Sequence, residues 1–190
     1  HHVVGQTLGL IGFGHIARLV AKKMSGFEMA ILCCDPFVSS EEMSASGVKS
    51  ATLDDVMSQS DFVSLHSPLT TDTYHLIGKR ELGLMKPDAM LINTSRGPVI
   101  DEDALIQALV DGKIAGAGLD VFEEEPVSLD NSLLRLDNVV ATPHSAGGSD
   151  LSHEKQWRLS LETAISFSKG RWPRSYVNRG VNSRWELSDD

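Results

Sequence analysis

Residues 9–17 read Gly-Leu-Ile-Gly-Phe-Gly-His-Ile-Ala, a Gly-x-Gly-x-x-Ala turn whose small residues are Gly12, Gly14 and Ala17. The apolar run Thr7-Leu8-Gly9-Leu10-Ile11 enters it as a buried strand. Residues 15–24 leave it as a helix, with Ile16, Leu19, Val20 and Lys23 at helical spacing. Few local backbones satisfy all three small positions at once. Gly12 allows the tight reversal, Gly14 lets backbone approach a pyrophosphate, and Ala17 lets the helix pack close to the strand. The helix start at His15 and Ile16 offers free N–H groups to phosphates. A strand-to-helix turn without ligand has the same look; the flanking strand and helix are what give the motif weight.

The rest of the chain repeats the alternation. Further apolar strands are expected at 29–34, 61–65, 89–93, 115–120 and 138–141, with a weak one near 48–50. Helices are expected at 79–85, before Pro87, at 102–110 and at 150–169. The 102–110 helix has Asp101 before it, an acidic first turn and Gly112 as its stop. Alternating strands and helices with near-continuous apolar strands predict a doubly wound α/β domain, a parallel sheet with helices on both faces. No repeat, low-complexity tract or internal linker interrupts it. The expected organisation is one dinucleotide-binding domain over 1–175 and a polar tail over 176–190.

Composition narrows the function classes. The 190 residues are 41% hydrophobic and 23% charged, enough to bury a core. A net charge of −9, with no dense run of Lys or Arg, argues against nucleic acid or an anionic membrane as main partner. No apolar stretch approaches the ~20 residues that span a bilayer. The two cysteines, Cys33 and Cys34, are adjacent and read as small strand residues. They frame no disulfide scaffold and belong to no Cys/His cluster with zinc spacing, so no metal is expected and a reducing cytoplasm fits. The opening His1-His2, without Met, suggests that the numbering begins inside a longer protein.

Asp35 ends the second strand, 18 residues beyond Ala17. A carboxylate there accepts hydrogen bonds from an adenosine ribose. A ribose 2′-phosphate would meet like charge, and Pro36-Phe37-Val38-Ser39-Ser40 supplies no Arg or Lys to offset it. The expected cofactor is therefore NAD rather than NADP, although an Asp-Pro pair also marks an ordinary solvated turn.

A series of further motifs follows in order. They are Leu65-His66-Ser67-Pro68-Leu69-Thr70, Met85-Lys86-Pro87-Asp88-Ala89 and Leu91-Ile92-Asn93-Thr94-Ser95-Arg96-Gly97. Then come Asp101-Glu102-Asp103-Ala104-Leu105, Gly118-Leu119-Asp120-Val121-Phe122-Glu123-Glu124-Glu125-Pro126 and Thr142-Pro143-His144-Ser145-Ala146-Gly147-Gly148. This series resembles the NAD-binding domain of the D-isomer-specific 2-hydroxyacid dehydrogenases, a family that includes phosphoglycerate, glycerate, hydroxypyruvate and D-lactate dehydrogenases. The likeness runs from Gly5 to Gly148. It implies a substrate-binding domain, mostly N-terminal, that this chain lacks. It also implies a small 2-hydroxy or 2-oxo acid as substrate, and a homodimer formed mainly through the cofactor domain. Two positions depart from the family's pattern. His15 stands where Arg is frequent, and Gly26-Phe27-Glu28-Met29 replaces a more usual Phe-Gly-Met.

The resemblance implies three catalytic residues, Arg96, Glu125 and His144, each just past the carboxyl end of an expected strand, where open parallel sheets bind ligands. A lone His after Thr-Pro is more often a surface residue. Within this series His144 is the acid-base that exchanges a proton with the substrate oxygen. Glu125, placed immediately before Pro, would hold the other imidazole nitrogen and fix the tautomer; Glu123 and Glu124 beside it leave a solvated acidic face as the plain reading. The planar fork of Arg96 suits a substrate carboxylate, as it also suits a structural ion pair. Asp120 would lie beside the nicotinamide, or serve as a turn cap. By the same likeness His66, Pro68 and Thr73 would flank the adenine or its ribose. Thr94 and Ser95 would lie by the nicotinamide ribose, and Gly147 would admit close backbone approach. NAD carries the redox chemistry, so hydride transfer needs no metal. Two alternatives stand beside the dehydrogenase. Corepressors resembling the same family sense NAD(H) with this fold and retain the Arg, Glu and His. Another doubly wound enzyme, such as a methyltransferase, fits the Arg-Glu-His series less well.

Overall fold

The structure is a computed structural model that describes residues 3–178 and 180–189. The chain divides into two compact units, residues 1–146 and 147–190, so the break follows the last strand and lies earlier than residue 175.

The first unit is a seven-stranded parallel sheet. Its strands are β1 (Thr7–Ile11), β2 (Ala30–Cys34), β3 (Lys49–Ser50), β4 (Phe62–Leu65), β5 (Met90–Asn93), β6 (Gly116–Leu119) and β7 (Val139–Ala141). They lie in the order β3-β2-β1-β4-β5-β6-β7. The order reverses between β1 and β4, which opens a crevice at the carboxyl ends of those strands. The central strands are buried on both sides, which explains why they read as unbroken apolar runs. Along β1 and β2, Leu8, Leu10, Ile31 and Cys33 pack into one cluster with Phe13, Ala17 and Met43. Ile11 and Leu32 point the other way, into the larger cluster with Val56, Leu91 and Leu105.

Helix α1 (His15–Met24) follows the glycine turn, with Lys22 and Lys23 in its last turn, where they complement the helix dipole. Ala17 packs against the sheet as the turn motif predicts, and of the four residues at helical spacing Val20 alone packs on this cluster. Ala17 is 0% exposed and Ala21 is buried with it, whereas Ile16 is 59% exposed and Leu19 also faces out. Close packing against the sheet takes methyl groups at 17 and 21, while Val20 and Met24 pack on the same cluster partly buried. Two short helices were not expected from periodicity, α2 (Ser40–Ser44) and α3 (Leu53–Gln59). Both begin at a side-chain cap: Ser39 accepts from Glu42 N–H, and Thr52 forms a capping box with Asp55. Helices α4 (Lys79–Leu84) and α5 (Glu102–Val110) fall where the sequence places them. Asp101 caps α5 by accepting from Ala104 N–H at 3.0 Å.

After α1 a short 3-10 turn, Ser25–Phe27, leads to Glu28 at φ 56°, a left-handed conformation in which the family pattern has glycine. The Cys33 thiol is fully buried, and burial together with the neighbouring Asp35 pushes its pKa up to about 12, so it stays protonated.

The second unit contains α6 (Asp150–Ser168), started by a capping box between Ser149 and Ser152, and a Trp172–Tyr176 ring stack at 4.9 Å. None of the helices among the described residues is long and apolar enough to cross a membrane.

Candidate active site

Every residue singled out in the first unit lies on the carboxyl edge of the sheet or in the loops that leave it. The glycine turn leaves β1, Asp35 follows β2 and His66 follows β4. Thr94–Arg96 follow β5, Asp120 follows β6 and His144 lies just past β7. A parallel sheet delivers these distant stretches of sequence to one edge.

At the turn, Gly12 has φ 92°, and a Cβ there would stand 2.9 Å from the His66 carbonyl carbon, so both conformation and space demand glycine. Gly14 differs: a Cβ there would meet nothing within 4 Å, so the space before it is open. Gly14 caps α1 without any side-chain hydrogen bond, and the first turn holds no acid. The start of α1 is therefore free to receive an anion. His15 and Ile16 are exposed beside it. The Asp35 carboxylate accepts from Phe13 N–H at 2.7 Å and from Phe37 N–H at 2.8 Å, which fastens the turn to the end of β2. An ionised carboxylate has about four acceptor sites, so capacity for a ribose remains.

Next to the turn is a cavity of ≈ 450 Å³ lined by Ile16, His66, Pro68, Thr94, Ser95 and Arg96. Ser67 and Leu69 complete its wall. The His66 ring is 3.1 Å from Ser64 Oγ, and burial lowers its pKa, which favours the neutral form. Thr73 is not among the cavity-lining residues. Its hydroxyl donates to Pro68 O at 2.6 Å and accepts from Thr70 N–H at 2.8 Å, closing the 68–73 turn behind Pro68. Together, the uncapped helix start, the open space at Gly14, the Asp35 carboxylate and the cavity fit a dinucleotide.

Arg96 is exposed, with Nη1 donating to Ser95 O at 2.6 Å. Its loop is set by Asn93, which the sequence analysis passed over. Asn93 is 0% exposed; its Nδ2 donates to Arg96 O at 2.9 Å, while its Oδ1 accepts from Ser95 N–H and Oγ, each at 2.9 Å. An amide inside an otherwise apolar strand run was the available signal, because a buried polar group needs partners.

His144 Nδ1 lies 2.8 Å from Glu125 Oε2. An ionised carboxylate can only accept, so the proton between them belongs to Nδ1, and Nε2 is left for a ligand. Among the described residues Nε2 has no hydrogen-bond partner. Glu125 is partly buried, which opposes its ionisation. Hydrogen bonds from His144 and Phe122 N–H, with the nearby charges of His144 and Arg96, outweigh this and hold the carboxyl below its ordinary pKa. Arg96, Glu125 and His144 thus share one electrostatic site. The loops bearing Arg96 and Glu125 touch through backbone, since a Cβ on Gly97 would stand within 2 Å of Phe122 O.

Asp120 is 3% exposed, and its oxygens serve the loop that carries His144. It accepts from Thr142 Oγ1 at 2.5 Å, Ser145 N–H at 2.8 Å and Ala146 N–H at 2.9 Å. Its carbonyl accepts the His144 N–H at 2.8 Å. His144 itself sits at φ 50°, a costly backbone for a non-glycine residue that these four bonds hold in place. The structure therefore makes Asp120 the anchor of the histidine loop. Gly147 belongs to the second unit, where its carbonyl accepts from Ser152 Oγ at 2.8 Å.

The family model described as D-isomer specific 2-hydroxyacid dehydrogenase, NAD binding domain, matches residues 1–146. The chain is similar to a glyoxylate reductase of Korarchaeum cryptofilum, 45% identical over 181 residues, which cover 95% of this chain and 54% of the relative. It is likewise similar to a glyoxylate reductase of Thermococcus litoralis, 46% identical over 177 residues, covering 93% and 53%. Among solved structures, the D-lactate dehydrogenase of Lactobacillus jensenii with NAD+ superposes with a TM-score of 0.84 at 34% identity, covering 94% of this chain and 57% of that one. The chain spans about half the length of the curated relatives it matches.

Proposed function

Since the chain belongs to the D-isomer specific 2-hydroxyacid dehydrogenase family and comprises its NAD-binding domain, we propose that it supplies the cofactor site and the proton-handling residues of an enzyme interconverting a small D-2-hydroxy acid and its 2-oxo acid. The observation that carries this reading is the 2.8 Å His144–Glu125 pair standing at the sheet's carboxyl edge with Arg96 beside it. NAD, when bound, supplies or receives the hydride. His144 Nε2 gives a proton to the substrate oxygen in reduction and takes it back in oxidation. Glu125 keeps the imidazole in the tautomer that presents Nε2. The Arg96 guanidinium pairs with the substrate carboxylate through two parallel hydrogen bonds. The start of α1 would hold the pyrophosphate, and Asp35 would receive the adenosine ribose hydroxyls. Glyoxylate is the first candidate substrate, on the names of the relatives at 45% and 46% identity.

The low cysteine count supports a reducing cytoplasm, and the net charge of −9 speaks against nucleic acid or anionic membrane as partner. The family likeness supports a homodimer. The relatives named above are reductases and dehydrogenases, so the corepressor reading has no observation in its favour.

The test is a panel of 2-oxo acids, followed by NADH absorbance, against the full-length parent and against this chain. The parent turns over glyoxylate, and His144→Ala lowers its kcat by roughly 10² to 10⁴-fold. Arg96→Ala chiefly raises KM, because the carboxylate it meets is present in the ground state. The 190-residue chain, about half the length of the relatives it matches, binds NADH and turns over little. A His144→Ala parent working at the wild-type rate refutes the proton-transfer assignment.

A further inference from the structure

The loop that presents Glu125 is tied down by residues that neither the family's catalytic set nor the cofactor cavity uses. Glu123, two positions earlier, has both carboxylate oxygens engaged. Oε1 is 2.8 Å from His75 Nε2, and Oε2 accepts the Glu102 N–H at the start of α5 at 3.2 Å. In return the Glu123 N–H donates to Glu102 Oε2 at 2.9 Å, and Asn131 Nδ2 holds the other Glu102 oxygen at 2.6 Å. Glu123 is thus fixed through both main chain and side chain.

His75 is itself set at a corner of the fold. Its backbone is left-handed, at φ 51°, and its N–H donates to Pro98 O at 2.8 Å. Its ring stacks on Tyr74 at 4.0 Å. Pro98 adjoins Gly97, the point at which the Arg96 loop presses on Phe122 O. One imidazole therefore links the segment behind Arg96 to the segment carrying Glu125.

Two residues of chain reach at most ~7 Å, so fixing Glu123 leaves Glu125 a small range of positions. Phe122 N–H then turns the Glu125 carboxylate by donating to Oε1 at 3.1 Å, which aims Oε2 at His144. A misplacement of ~1 Å at such a pair can cost 10²-fold in rate. We propose that His75 and Glu123 are positioning residues, whose pairing locks the 120–126 loop so that Glu125 meets His144 Nδ1. The proposal rests on the reading of Glu125 and His144 as the proton-handling pair.

Glu125 reports on its own placement. The positive charges of His144 and Arg96 favour its ionised form, the like charge of nearby Glu123 opposes it, and its carboxyl lies below the ordinary value while the His144 contact holds. The experiment is an NMR titration of the Glu125 side-chain carboxyl in the 190-residue chain, alongside NAD calorimetry. In Glu123→Ala the Glu125 midpoint rises toward the ordinary glutamate value. Removing the Glu123 charge alone would move it the other way, because a lost like charge favours ionisation. A rise therefore reports displacement. Glu123→Gln removes the same charge but keeps an amide oxygen to accept the Glu102 N–H and an NH2 to donate to Nε2 of a neutral His75 ring, and it does not show the rise. If Glu123→Ala fails to fold, His75→Ala and His75→Gln carry the same comparison. Both lack the imidazole, and only the alanine variant lacks a donor to Glu123. A Glu125 midpoint that does not rise in the alanine variants, or that rises equally in their glutamine counterparts, overturns the positioning role. Absence of NAD binding in the wild-type chain overturns instead the functional reading, and the titration is still read without it.

Discussion

Adding a methyl group at Gly14 separates the cofactor site from the fold. Gly14 has φ −73° and ψ −171°, open to any residue, and a Cβ there meets nothing within 4 Å. Gly14→Ala should therefore fold. Alanine is a poorer helix N-cap than glycine, so stability should fall by no more than about 1 kcal/mol. The methyl instead occupies space that a pyrophosphate needs to reach the first N–H groups of α1. Loss of one hydrogen bond to a charged group costs about 1.5–3 kcal/mol, which converts to a 10- to 100-fold weaker Kd for NAD. Gly97→Ala is the opposite case. Its Cβ would stand 1.8 Å from Phe122 O, so two backbones must part by about 1.2 Å merely to reach the 3.0 Å that real Cβ atoms respect. Backbone cannot repack by changing rotamer, and the cost should exceed the roughly 1–3 kcal/mol of ordinary overpacking. Urea unfolding and NAD calorimetry on both variants decide the matter. If Gly14→Ala binds NAD as tightly as wild type, the start of α1 is not the phosphate site.

The central strands were legible because they are buried on both faces. Leu8 and Ile11 pack into different clusters, yet both have to be apolar, and the run shows it. Helix α5 was legible from its ends, Asp101 and Gly112, the latter at φ 64°. By contrast α2 and α3 have 5 and 7 residues, too short for a helical period, and only the caps Ser39 and Thr52 announce them. On α1 the turn motif picked out Ala17, whereas apolar spacing also picked out the exposed Ile16 and Leu19, because closeness as well as hydrophobicity selects the residues against the sheet. Alanines lie against the sheet, and Ile16 is released to line the cavity. Of the site, Arg96, Glu125 and His144 were reachable through the family likeness, and the parallel topology brings them to one edge. Their supports were not. Asn93 acts locally, on Ser95 and Arg96, and only its polarity inside an apolar run marks it; Thr142 and His75 act across sequence gaps bridged only in three dimensions, and nothing in spacing marks His75 as the partner of a glutamate 48 residues away.

Three further outcomes are expected. Asp35→Ala should narrow the preference for NAD over NADP measured by calorimetry at one salt concentration, since the like charge that opposes a 2′-phosphate is gone; a wild-type chain binding NADP as tightly as NAD sinks that assignment. Glu28→Gly should raise the urea midpoint by about 1 kcal/mol of stability, because glycine adopts the left-handed φ of 56° without the penalty that an L side chain carries. The last concerns acid. Burial opposes ionisation of Asp120, and the bonds from Thr142, Ala146 N–H and Ser145 N–H, with the His144 charge, outweigh it, so its folded pKa lies below the ordinary value. A carboxyl depressed on folding adds stability that is fully present above the unfolded aspartate pKa of about 3.9 and is lost as pH falls through the lower, folded value. Asp120→Asn keeps the shape and abolishes that titration. Asp61 and Glu81 are also depressed, but they bond to other groups, titrate in wild type and variant alike and cancel in the difference. The stability gap between wild type and Asp120→Asn, from denaturant titrations at a series of pH values, should be constant near neutrality and shrink once pH drops below about 4. A gap that stays flat or widens down to pH 3 would mean that Asp120 does not hold the histidine loop as an ionised acceptor, and the left-handed His144 would need another restraint.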